Sequence, residues 1–128
     1  MPSLVAVTGA ALVALGALAV VDPNRPGHYP TCPFLVLTDH YCPGCGSLRA
    51  VHDLLHGDLH GALARNPLAV LLAPLVLAAY VCWGLRLLGF DAPHPTRIGA
   101  GWIWTLLGIV LAYWVLRNVP GWTWLSPA

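Results

Sequence analysis

Asn66–Leu88 reads NPLAVLLAPLVLAAYVCWGLRLL, and this stretch decides the fold. About 20 apolar residues at helical rise cross the hydrocarbon core of a bilayer. Pro67 to Leu88 has that length and contains no Asp or Glu. Its one cation, Arg86, lies near the end, where a long side chain can snorkel to the headgroups. Asn66 followed by Pro67 is a helix start, a capping side chain and then a proline in the first turn. Pro74 predicts a kink. Gly89 ends the run. Cys82, inside it, reads as a small apolar packing residue.

Working outward, two more runs have the same character: Ser3 to Val21 and Gly99 to Leu116. Across the 128 residues, 58% are hydrophobic and 9% charged. A soluble domain carries roughly 25% charged residues, so lipid is the solvent for much of this surface. The expected fold is an all-α membrane protein, one membrane domain over 1–128. Three transmembrane helices (3–21, 67–88, 99–116) flank a Cys-bearing re-entrant or interfacial helical segment, 32–66. Ala17-Leu18-Ala19 resembles a signal-peptide cleavage site. No Lys or Arg precedes the first run, however, and the run is long for a signal core, so a retained helix is expected. Trp102, Trp104, Tyr113 and Trp114 suit membrane interfaces, and Trp122 and Trp124 suggest a tail along the surface. A net charge of +1 gives no electrostatic case for nucleic acid. All basic residues are Arg and all acidic ones Asp, a bias that suggests a GC-rich bacterial source and hence a bacterial inner membrane. Three crossings place Arg25, Arg49, Arg65 and Arg117 on the Cys side, against Arg86 and Arg97 opposite. The positive-inside rule then puts the Cys segment in the cytoplasm.

The specific chemistry concentrates in Cys42-Pro43-Gly44-Cys45-Gly46-Ser47-Leu48-Arg49, with Cys32 ten positions upstream of Cys42. A Cys-x2-Cys pair on a glycine turn suits tetrahedral zinc, since both sulfurs reach one ion at about 2.3 Å. Cys32, Cys42 and Cys45 are therefore candidate zinc ligands, and His40, then His28, are the nearest candidates for a fourth. The same thiols read as a redox pair. Cys45 begins a helix and Arg49 follows one turn later, both of which favour a thiolate. A disulfide would fit an oxidising compartment.

Gly46 to His56 reads as a helix stopped by Gly57, and Asp58 caps a second one running to Arg65. Arg49, His52, Asp53 and His56 fall on one helical stripe. They form a second polar site in which Arg49 and Asp53 can pair and the two histidines can share a ligand. The plainer reading of the histidines is the wet face of an interfacial helix. Arg49, directly after the Cys turn, reads as a structural anchor. His60, His94 and Asp91 read as solvent-facing.

The order Cys32-Pro33, Cys42-Pro43-x-Cys45-Gly46-x-x-Arg49-Ala50, Gly57-Asp58 and Asn66-Pro67 resembles a known family. Its members are small bacterial integral-membrane proteins of unknown function. The resemblance covers Cys32 to Val81 and leaves the first and third helices outside. It implies a multi-spanning membrane protein and marks Gly44, Gly46, Gly57, Asp58, Asn66 and Pro67 as structural, but it implies no activity.

The leading functional expectation is a non-enzymatic membrane protein. Its Cys segment is stapled by zinc and presented to a membrane-protein partner. The alternatives are a membrane thiol–disulfide redox protein and an ion or small-molecule carrier. A carrier is disfavoured because the spans lack acidic groups.

Overall fold

The computed structural model describes residues 2–93, 99–121 and 125. Six helices follow in order: α1 (Pro2–Val20), α2 (Pro33–Thr38), α3 (Ser47–Leu55), α4 (Leu59–Arg65), α5 (Pro67–Leu87) and α6 (Ala100–Arg117). There is no strand among the described residues. Helices α1, α5 and α6 are each long and apolar enough to cross a membrane. Their bounds lie within two residues of the sequence expectation. The chain thus has the character of a multi-pass membrane protein.

Local chemistry sets the helix ends. The Asn66 side chain accepts from the Ala69 amide at 3.0 Å and starts α5, with Pro67 in the first turn. Asp58 accepts from the Gly61 amide at 2.8 Å and starts α4. Gly46, the residue before α3, has φ +83°, a left-handed conformation that a Cβ would disfavour. It turns the chain out of the Cys loop into the helix. Pro74 lies inside α5, which continues through it. Arg86 folds back at the end of α5 and donates to the Ala92 carbonyl at 2.7 Å.

Helices α1 and α5 run antiparallel. The Thr8 hydroxyl meets the Tyr80 hydroxyl, and Leu4 lies beside Gly84. Asn118, just past α6, bonds Tyr41 in the Cys segment. The N-terminus and the Asp91 connection therefore share one end of the molecule, and the Cys segment and α6 C-terminus share the other.

The protein core sits at the Cys end. Leu18, Cys45, Ala50, Ala62, Asn66, Arg117 and Leu125 are buried there. Away from that end the three long helices leave their Leu, Val and Ile side chains exposed, as helices solvated by lipid do. Trp102 and Trp104 are exposed, whereas Trp114 turns inward, edge-on to Phe34 at 6.0 Å between ring centroids. Trp122, Trp124, His94 and Arg97 lie outside the described residues. His60 and Asp91 are exposed, as expected.

Candidate metal centre in the cysteine segment

Three short elements bring the thiols together. Cys32 directly precedes α2, a six-residue helix, and Asp39 (φ 54°) reverses the chain after it. The turn 40–46 carries Cys42, and Cys45 lies at its end, two residues before α3. The sulfurs of Cys32 and Cys42 are 3.6 Å apart and those of Cys42 and Cys45 2.9 Å apart. All three lie within 4.8 Å of one another, close enough to hold one metal ion. All are free thiols. The Cys42 amide also points at the Cys45 sulfur, at 3.3 Å.

The sulfurs differ electrostatically. The Leu35 amide in the first turn of α2 pulls the Cys32 thiol below the usual range. Burial pushes Cys45 up to about 12. Cys32 is thus the readier thiolate of the two. Cys82, in α5, stands apart from the cluster. His40 is exposed and turns Nδ1 onto the Thr38 carbonyl. His28 Nδ1 donates to the Asp22 carbonyl at 2.8 Å.

A cleft of about 580 Å³ opens over the thiols. Its wall includes Arg25, Arg49, Tyr29 and Tyr41, with no carboxylate and no imidazole among the described residues lining it.

Beneath the thiols lies a buried polar hub that the sequence does not announce. Asn66, 1% exposed, does far more than cap α5. Its Nδ2 donates to the Pro43 carbonyl (3.0 Å), the Cys45 carbonyl (3.3 Å) and the Ser47 hydroxyl (3.0 Å). Its Oδ1 also accepts from the Tyr113 hydroxyl of α6 at 3.1 Å. Arg117, also 1% exposed, donates to the Cys42 carbonyl at 3.4 Å and the Arg65 carbonyl at 3.2 Å. Its guanidinium lies 5.8 Å from the Tyr41 ring centroid and 5.5 Å from that of Tyr113, a cation–π arrangement. Its Nε is buried without a hydrogen-bond partner among the described residues. Asn118 completes the clamp, accepting from the Tyr41 amide at 2.8 Å and donating to its carbonyl at 2.9 Å. The fully buried arginine at this end is thus Arg117, while Arg49 is half-buried on the cleft wall.

The α3 stripe faces inward over its middle. His52 donates from Nδ1 to the Leu18 carbonyl at 2.7 Å, and its Nε2 lies 3.5 Å from Asp22 Oδ1. Asp53 pairs with Arg65 at 3.8 Å and accepts from Asn24 at 3.3 Å. The Asn24 amide holds the Asp22 carboxyl below its ordinary range. His56 is exposed and donates from Nδ1 to the His52 carbonyl at 2.8 Å, the two rings lying 4.3 Å apart. Leu48 and Leu55 of the same helix are the exposed side chains. The wet-face expectation for the histidines therefore holds for His56 and fails for His52, which is largely buried together with Asp53. They join α3 to the end of α1 and to α4.

No curated protein and no solved structure gives a significant match to this chain. Residues 32–80, from the first thiol of the cluster to the middle of α5, match the family model described as Protein of unknown function (DUF2752), and α1, α6 and the Arg117 clamp lie outside that match.

Proposed function

We propose that this chain is a cell-membrane protein whose Cys32, Cys42 and Cys45 hold a zinc ion on the cytoplasmic side. The observation that carries this reading is the convergence of three thiols within 4.8 Å. Sulfurs bound to one tetrahedral zinc at about 2.3 Å lie about 3.8 Å apart. The Cys32–Cys42 separation of 3.6 Å is near that value, and the 2.9 Å of Cys42–Cys45 would have to widen to reach it. Thiolates are soft donors suited to this metal. Zinc here ties together the start of α2, the turn and the start of α3, which otherwise depend on hydrogen bonds.

Purified protein should contain stoichiometric zinc. Cys32→Ser, Cys42→Ser and Cys45→Ser should each lose it and lower thermal stability, because structural zinc contributes folding energy directly. Stoichiometric zinc retained by the Cys42→Ser/Cys45→Ser double variant would sink this reading. The 2.9 Å approach of Cys42 and Cys45 also supports a second one, a reversible dithiol. Metal-free wild-type protein that cycles between reduced and Cys42–Cys45-bonded forms would select it.

A further inference from the structure

Three protein sulfurs leave a tetrahedral ion one ligand short, and a zinc site with an open position takes a water or an exogenous ligand. Among the described residues, the metal-capable group contains no fourth donor. His40 and His28, the nearest imidazoles in the sequence, are not in that group and do not line the cleft above it. What lies over the thiols is the cleft, whose volume of about 580 Å³ falls in the range of small-molecule sites. Its wall includes Arg49, Tyr29, Tyr41 and Arg25, the last also paired with Asp22 at 3.8 Å. Among the described residues that line it, none is anionic. Arg117 adds a buried cation behind the Cys42 carbonyl.

Resting on the zinc reading above, we infer that the open position is filled from this cleft by a small thiol that carries an acid group. A zinc ion held by three thiolates accepts a fourth sulfur, as in all-thiolate zinc sites. The arginine-bearing wall selects the anion, because a guanidinium pairs with a carboxylate in a charge-assisted, forked arrangement. On binding, the ligand S–H loses its proton to water, the sulfur–zinc bond forms and any bound water leaves. No electron is transferred. The site is then a receptor for a low-molecular-weight acidic thiol, rather than a closed staple alone.

The test uses full-length protein in detergent loaded with Co(II), whose visible bands report the donor set. Titration with mercaptoacetate should shift those bands with cobalt retained. Neutral 2-mercaptoethanol should bind about tenfold more weakly, the equivalent of one charge-assisted hydrogen bond. Arg49→Gln should narrow that gap while leaving the ligand-free cobalt spectrum intact, which also certifies the fold. Arg25→Gln is the second variant, should Arg49→Gln not fold. Cobalt bands that ignore both thiols, or that change in His40→Ala or His28→Ala before any thiol is added, overturn the inference and leave the zinc reading standing. Equal affinity for the two thiols overturns the acid-group selection. Failure to take up cobalt or zinc removes both.

Discussion

Asn66 shows how much one side chain can carry. Its capping role follows from sequence alone, because a cap is a contact between residues three apart. Its other bonds run to Pro43, Cys45, Ser47 and Tyr113, and no local rule reaches across 19 to 47 residues. The two roles separate by substitution. Asp caps a helix as well as Asn does, so a residue that only capped α5 would accept Asn66→Asp freely. At this site Asp keeps the acceptor facing Ala69 and Tyr113. It loses the amide hydrogens and turns a carboxylate oxygen toward two carbonyls in a buried position. Asn66→Asp should therefore be at least as destabilising as Asn66→Ala. The Ala variant should cost about 1 kcal/mol for the cap and roughly 1–3 kcal/mol more for acceptors left unsatisfied. Thermal unfolding of the three proteins in detergent decides it, and wild-type stability for Asn66→Asp would reduce Asn66 to a cap. Arg117 was harder to read. A lone arginine closing an apolar run ordinarily snorkels to water, and only the fold shows it packed between Tyr41 and Tyr113.

At the scale of elements, ends were legible and faces were not. Gly57, Asp58, Asn66 and Pro67 mark boundaries by chemistry confined to one turn, and the helices stop where those residues say. The polar stripe of α3 follows equally from its period. A period gives two faces without saying which meets solvent, and beside a membrane the apolar face can be the outer one. Side chains of His52 and Asp53 are 13% exposed, while Leu48 is 52% exposed. Gly61 went unread in the same way. A Cβ there would fall 2.3 Å from Asp58 Oδ2 and 3.2 Å from Asp53 Oδ2. Ala normally gains about 1 kcal/mol over Gly inside a helix. In α4 the added methyl must push the Asp58 carboxylate off its cap, which costs about the same. Gly61→Ala alone should leave stability nearly unchanged, whereas in an Asp58→Ala background it should raise the unfolding midpoint. A gain of the same size in both backgrounds would show that Asp58 and Gly61 do not compete for that space.

At the scale of the molecule, three crossings were legible because length and apolarity are enough to identify a span. Their number alone pairs the Cys segment with the end of α6. How α6 attaches was not legible. It docks through Tyr113, Arg117 and Asn118 at one end, and the sequence match to other proteins stops before reaching it. Charge during insertion predicts which side of the membrane this end faces. Four arginines (Arg25, Arg49, Arg65 and Arg117) stand at the Cys end, against Arg86 at the other, with Arg97 following it in the sequence before α6. Cationic loops are retained on the cytoplasmic side before the fold forms, so the later burial of Arg117 does not discount its vote. A cytoplasmic Cys end also keeps the thiols reduced, as zinc binding requires. In a bacterial host, a green fluorescent protein fused after Ala128 should therefore fluoresce, and alkaline phosphatase fused there should be inactive. The opposite pair of results would place the thiols in an oxidising compartment. Cys42 and Cys45, already 2.9 Å apart at sulfur, would then be expected to close into a disulfide, and the zinc reading would give way to the dithiol one.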